Sequence, residues 1–390
     1  MINNSNIKDI DKQYVAPTYA RFDVLLESAK DGIISGDGTE YIDFGTGIGV
    51  SAFGASDTVL ADAVCAQARK LSHVSNLYYT EPCARLAEML CERTGMKKVF
   101  FGNSGAEANE CAIKTARKYS HDKYGEDSGR DTVVTLVNSF HGRTMLTLAA
   151  TGQDVFHTDF GPFPAGFKHT PANDVDALSM ALTPDVCALM IECVQGEGGV
   201  LPLDAEFVKA AEKLCKEKDI ILIVDEVQTG NGRTGALYAY MNFGVTPDIV
   251  TTAKGLGGGL PIGACMLGEK VENTLGAGKH GSTFGGNPIA CAGAITVIER
   301  LDDAFLKTVR EKADYLQNKL AGIKGVRSVS GMGLMLGLEL EEKDAKSVVA
   351  ECMKKGLLVL TAKTKVRLLP PLNLTYGQID RAVEILKESI

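Results

Sequence analysis

Two residues draw attention for the chemistry that their types and spacing allow. Residues 220–263 read IILIVDEVQTGNGRTGALYAYMNFGVTPDIVTTAKGLGGGLPIG. The stretch opens on an apolar run, Ile220 to Val224, with charge on both sides, the pattern of a strand buried on both faces of a parallel sheet. That run delivers Asp225 at its carboxyl end. A second run, Asp248 to Ala253, delivers Lys254 straight into glycines. Strand ends of such a sheet open onto one crevice, so an acid and an amine distant in sequence can meet there. The amine can condense with an aldehyde, and the acid can hold a proton on a heteroaromatic nitrogen. This is the pairing that pyridoxal phosphate (PLP) chemistry needs, the ring serving as an electron sink. Taken alone, a strand-end Asp is a helix cap or turn residue and a Lys before glycines is a solvated cation; the surrounding constellation decides.

A second constellation is Gly102-Asn103-Ser104-Gly105-Ala106-Glu107-Ala108-Asn109, which follows a strand-like run and opens a helical pattern. Small residues there let backbone N–H groups reach an anion at a helix N-terminus. Glu107 and Glu110 fall early in that helix and Lys114, Arg117 and Lys118 late, in agreement with its dipole. As a plain strand-to-helix turn it would need no more than a serine cap. There is no G-x-x-x-x-G-K-[ST], and Gly45-Thr46-Gly47-Ile48-Gly49-Val50 lacks the dinucleotide spacing, so nucleotide motifs are set aside.

The elements that must position these residues follow from periodicity. Strands are expected at 99–101, 132–137, 187–192, 220–224, 249–252 and 264–267, and helices at 57–71, 106–119, 205–218 and 288–301. Such alternation indicates an α/β layered fold with a mostly parallel sheet. Residues 1–20 are polar and expected partly extended, and 33–44 form a hairpin about Gly36-Asp37-Gly38-Thr39. After residue 301 the pattern changes: helices at 305–320, 343–355 and 376–387, a hairpin-like pair about Gly331-Met332-Gly333, and short strands flanking Arg367. The expected division is an N-terminal segment 1–50 contributing to a small domain, a large domain 51–300, and a C-terminal α+β domain 301–390.

The net charge of −8 argues against nucleic acid or an anionic membrane as partner. No apolar run approaches membrane-spanning length, and the polar start MINNSNIKDIDKQ has no signal-peptide core, so a cytoplasmic protein is expected. The ten cysteines form no C-x-x-C pair, which suits a reducing compartment. The six histidines show no metal-ligand spacing, so no metal is expected.

NSGAEANE at 103–110, SFHGRT at 139–144, QGEGG at 195–199, DEVQTGNGRTG at 225–235, AKGLGGGLPIG at 253–263 and GSTFGGNP at 281–288 together resemble the class III PLP-dependent aminotransferases. HVSNLYY at 73–79 and RLLPPLN at 367–373 point the same way, so the resemblance spans nearly the whole chain. It implies PLP-dependent transferase fold type I, with the small domain built from both termini. It also implies a homodimer with shared sites and a two-stage reaction through pyridoxal and pyridoxamine phosphate. Lys254 resembles the lysine that joins the cofactor aldehyde, Asp225 the partner of the ring nitrogen, and Gln228 the partner of the ring's phenolic oxygen. Ser104, Gly105 and Ala106 match the phosphate cradle, Thr283 the phosphate contact from the neighbouring subunit, and Phe140 the aromatic against the ring. Arg143 and Arg367 match carboxylate anchors for the amino donor and the 2-oxo acid, since an arginine fork holds a carboxylate bidentately. Glu197 resembles the acid that masks the second arginine, and Glu192 a supporting acid. Within the family the motifs fit the branch that moves the terminal amino group of N2-acetylornithine to 2-oxoglutarate. Ornithine, succinylornithine, N-succinyl-diaminopimelate or 4-aminobutyrate as donor, or an aminomutase, are the alternatives. A nicotinamide-dependent oxidoreductase and a non-catalytic PLP-binding regulator lie outside it. Cys193, Asn231 and Ser330 depart from the family's usual proline, apolar residue and arginine, without removing a catalytic group.

Overall fold

A strand with no polar residue is stable only where both its faces are covered, and the apolar runs of this chain meet that condition in one large sheet. The structure, a computed structural model, describes residues 4–30 and 32–390. Its first strands are β1 (Leu26–Lys30), β2 (Ile33–Gly36) and β3 (Thr39–Asp43). Then come β4 (Lys98–Gly102), β5 (Thr132–Leu136), β6 (Phe167–Thr170) and β7 (Val186–Ile191). A short pair, β8 (Val194–Gln195) and β9 (Leu201–Pro202), precedes β10 (Ile221–Asp225), β11 (Ile249–Thr252) and β12 (Gly263–Leu267). The large sheet runs β4-β12-β11-β10-β7-β5-β6. Its pairings are parallel except those of β12, which is antiparallel to both neighbours.

Alternation along β10 shows how the sheet is covered. Leu222 and Val224 join one apolar cluster with Phe207, Val208 and Ala211 of the Ala205–Glu217 helix. Ile221 and Ile223 join a second with Cys111, Ala112, Ile113 and Ala116 of the Gly105–Tyr124 helix. The α/β class and the mostly parallel sheet are as expected, and each expected strand lies within two residues of its place. Missed were β6, the β8–β9 pair and the helices Glu81–Thr94, Met145–Ala150 and Val175–Ala181. The strands and the last two helices are too short to show a period, whereas Glu81–Thr94 does carry one, with Leu86 and Leu90 buried four residues apart.

The remaining strands are β13 (Val326–Met332), β14 (Met335–Leu340), β15 (Leu357–Leu358), β16 (Leu360–Ala362) and β17 (Lys365–Leu368). They form a sheet ordered β13-β14-β17-β16, while β15 leaves it to pair in parallel with β3 of the expected β2–β3 hairpin. The chain's two ends thus meet in one small sheet. The expectation of a partly extended start is corrected, because Asn4–Tyr14 is helical; residues 1–3 lie outside the described residues. Ile7, Ile10 and Tyr14 recur at helical spacing there, a stripe hidden by the segment's overall polarity. Among the described residues no helix is long and apolar enough to cross a membrane.

Candidate active site

The parallel strands all end at one edge of the large sheet, and the loops beyond them enclose a cavity of about 500 Å³. Asp225 closes β10 opposite Thr251 of the adjacent β11, and Lys254 follows β11 by two residues. Both line the cavity, as do Ser104, Gly105, Ala106, Phe140, Arg143, Glu192, Glu197 and Gln228. Two expected residues lie elsewhere. Arg367, in β17, sits behind Glu197, its Nη1 donating to Glu197 Oε1 at 2.7 Å and to Gln228 Oε1 at 3.3 Å. Thr283 is exposed in the loop before the Pro288–Arg300 helix and does not line this chain's own cavity.

Asp225 is almost wholly buried, and its orientation is heavily determined. Oδ2 accepts from Asn109 Nδ2 and His141 Nδ1, each at 2.8 Å, and Oδ1 accepts from the Val227 N–H at 3.0 Å. Because a carboxylate only accepts, the His141 proton is assigned to Nδ1. Asn109 is itself fixed by Thr251 Oγ1, which donates to its Oδ1 at 2.6 Å. Asn109 and His141 are the site residues that sequence reasoning passed over. The signal was available: Asn109 is a polar residue on the apolar face of a helix, where a buried amide must find partners.

Lys254 has φ +46°, a left-handed conformation uncommon for lysine. Such backbone persists where its surroundings impose it, and it gathers at functional sites. The residue reaches solvent through the cavity and is otherwise enclosed. Burial holds its amine below the usual lysine range, with the Glu197 and Asp225 carboxylates opposing that shift. Glu192 Oε2 accepts from the Phe140 N–H at 2.9 Å. Burial, with Asp225 beside it, raises the Glu192 carboxyl well above the usual range. Burial would raise Glu197 too, but the Arg367 guanidinium overrides it and leaves that carboxyl low.

At the helix start, Ser104 is the N-cap and its Oγ accepts from the Glu107 N–H at 3.2 Å. That leaves the N–H groups of Gly105 and Ala106 for an anion, since the first turn has no internal acceptor for them. Glycine is required at two points of this cradle. A Cβ on Gly105 would lie 2.7 Å from Val227 Cγ1, and one on Gly142 (φ +140°) would lie 2.5 Å from Thr147 Oγ1. Arg143 is exposed at the mouth, its guanidinium 4.1 Å from the Phe156 ring centroid and 5.6 Å from that of Phe140. No carboxylate of the described residues pairs with it. A site of this kind offers a low-pKa amine and a fixed carboxylate lining one cavity, an anion cradle and the exposed Arg143 guanidinium, with the Arg367 guanidinium held behind Glu197, which suits a phosphorylated heteroaromatic aldehyde.

The departures from the expected motifs also have structural readings. Asn231 has φ +55°, a conformation asparagine tolerates better than an apolar residue. Its Nδ2 donates to Thr252 Oγ1 at 2.9 Å and to the Ala253 carbonyl at 3.2 Å, tying this loop to the strand end that presents Lys254. Cys193 is fully buried, and burial pushes its thiol well up.

Glu226, next to Asp225, carries a pH prediction. It is fully buried, its Oε1 accepting from the Tyr240 N–H at 2.8 Å and its Oε2 from Thr229 Oγ1 at 2.6 Å. Burial pushes its carboxyl up from 4.5 to about 7. The folded state therefore holds this proton more tightly than the unfolded chain. The stability it contributes is complete below about pH 4.5 and is lost as pH rises through about 7. The loss is on the order of 3 kcal/mol. Urea unfolding at pH 5 and pH 8.5 should show a larger drop for the native chain than for Glu226→Gln; equal drops would contradict this assignment.

Comparison with known proteins agrees with this geometry. The family described as aminotransferase class-III matches residues 14–390. An acetylornithine aminotransferase of Haemophilus ducreyi is 52% identical over 390 residues, covering 99% of each chain. The crystal structure of the N-acetylornithine aminotransferase of Stenotrophomonas maltophilia superposes with a TM-score of 0.85 at 34% identity, covering 98% of this chain and 97% of that one. The ornithine aminotransferase of Toxoplasma gondii, which holds PLP at partial occupancy in its active site, superposes with a TM-score of 0.93 at 32% identity, covering 99% of this chain and 94% of that one.

Proposed function

The chain belongs to the class III aminotransferases, and from that premise we propose that it transfers the terminal amino group of N2-acetylornithine to 2-oxoglutarate. The products are N-acetylglutamate 5-semialdehyde and glutamate, a step of arginine biosynthesis. The observation that carries the chemistry is that Lys254 and Asp225 line one cavity from adjacent strand ends. Support for this donor over others comes from full-length identity with relatives named for it; superposition alone does not separate it from ornithine.

PLP fits the donor set, and when bound it supplies an aldehyde for amine exchange and a ring that spreads carbanion charge. The Lys254 amine, kept low in pKa by burial, is suited to take a proton from the donor carbon and return it. Asp225, held by Asn109, His141 and the Val227 N–H, keeps a proton on the ring nitrogen. Ser104 and the Gly105 and Ala106 N–H groups would hold the phosphate, Phe140 would border the ring, and Gln228 would serve its phenolic oxygen. Arg143 anchors the donor carboxylate, and Arg367 is reserved for the 2-oxo acid, with Glu197 covering it while the donor is bound. One pocket must accept two substrates that differ in charge, and a movable acid over an arginine meets that need. Thr283, exposed on its loop, is assigned to the site of a second copy, so the working unit is a cytoplasmic homodimer. The division into 1–50, 51–300 and 301–390 is retained as the domain organisation.

A panel of amino donors assayed with 2-oxoglutarate tests the substrate. N2-acetylornithine should exceed ornithine and 4-aminobutyrate in kcat/KM by at least about tenfold, a margin that pocket contacts can supply. Preference for either of those donors would overturn the assignment.

A further inference from the structure

Glu197 sits in the turn 196–200 that joins β8 to β9, and this turn is held at both ends. At one end Glu197 Oε1 takes the 2.7 Å bond from Arg367. At the other is Val200, fully buried with φ +53°, a genuine outlier for a β-branched residue. Three things hold Val200 in that conformation. It packs in a small apolar cluster with Val194, Met335, Ala362 and Leu369. Gly337 leaves room for it, since a Cβ there would lie 2.8 Å from Val200 Cβ. Its carbonyl accepts from Ser330 Oγ at 2.8 Å, and that hydroxyl in turn accepts from Lys365 Nζ at 2.7 Å.

The sheet register connects the two ends. Ser330 of β13 pairs with Gly337 of β14, and Gly337 pairs with Arg367 of β17, so all three lie in one row. Lys365, two residues before Arg367 on β17, shares its face. A single sheet face thus presents Arg367 beneath Glu197 and the Lys365–Ser330 pair beneath Val200. A hydroxyl that accepts from an ammonium is a stronger donor onward, so the Lys365–Ser330–Val200 chain fixes the turn more firmly than Ser330 alone. Neither Ser330 nor Lys365 lines the cavity.

We infer that Ser330 and Lys365 are positioning residues that set how firmly Glu197 covers Arg367, and through it the balance between the enzyme's two substrates. The inference rests on the reading of Arg367 and Glu197 given above. When Glu197 leaves Arg367 to a dicarboxylic acid, any shift of the turn works against the anchor at Val200. A weaker anchor makes the uncovered state easier to reach.

The test uses holoenzyme of Ser330→Ala and Lys365→Met, with the donor and 2-oxoglutarate half-reactions measured separately. Both variants should lower the KM for 2-oxoglutarate and shift the ratio of the two kcat/KM values toward the acid by roughly fivefold, within the range of coupling between contacting residues. Ser330→Thr and Lys365→Arg should restore the native ratio. Adding Ser330→Ala to Glu197→Ala should change nothing further, because the effect passes through Glu197. Equal falls in both half-reactions, or the same shift in the conservative variants, would overturn the inference. Arg367→Ala separates the two levels of the argument. If it leaves the KM for 2-oxoglutarate unchanged, the reading of Arg367 fails and this inference falls with it. If it raises that KM while Ser330→Ala and Lys365→Met keep the native ratio, this inference alone fails.

Discussion

Lys254→Ala is expected to lower kcat by about 10⁴-fold or more, because in the proposed mechanism one side chain serves both as the amine that holds the aldehyde and as the proton carrier. The substitution leaves the backbone at Lys254 enclosed by the buried neighbours Gly255 and Leu256. Its left-handed φ of +46° is carried by the chain rather than by the amine, so thermal unfolding should change little. The check is steady-state turnover beside a melting curve. A variant within about tenfold of native kcat would remove Lys254 from the chemistry.

Asp225→Asn is expected to lower kcat by on the order of 10²–10³-fold while leaving KM values nearly unchanged, the pattern of a group whose charge matters most in the transition state. The side chain keeps its volume but loses the negative charge, and a neutral amide cannot hold a proton on the facing ring nitrogen. It also disturbs the buried network, because Asn109 and His141 both donate to Oδ2 of Asp225 and an amide nitrogen there would oppose them. Measuring kcat and KM for both substrates checks this. A uniform rise in KM with native kcat would mean that Asp225 serves binding alone.

Much of this site was legible because α/β architecture turns sequence position into spatial position. An apolar run followed by a polar residue places that residue at the sheet's carboxyl edge, which is how Asp225 and Lys254 could be brought together from the residues alone. The large sheet was read well for the same reason: strands buried on both faces leave continuous apolar runs. The β8–β9 turn was not legible as structure, because two-residue strands carry no period. Only motif likeness pointed to Glu197, and nothing in the sequence announced that Val200 would need a left-handed backbone. The motifs do not reveal the parts played by Asn109 and His141, since their importance lies in contacts to Asp225 made across 116 and 84 residues. The N-terminal helix is hard to read because the polarity of the segment masks the spacing of Ile7, Ile10 and Tyr14. Thr283 is exposed on one chain, so its assignment rests on a second copy and on likeness to the family.

In the proposed mechanism Lys254 holds the cofactor aldehyde, with Asp225 lining the same cavity. Borohydride reduction of PLP-loaded protein followed by peptide mapping tests it most directly. Reduction should leave a single stable phosphopyridoxyl group, carried by the peptide that contains Lys254, with loss of the visible absorbance of the loaded protein. A label on any other lysine, or a loaded protein with nothing to reduce, would contradict it.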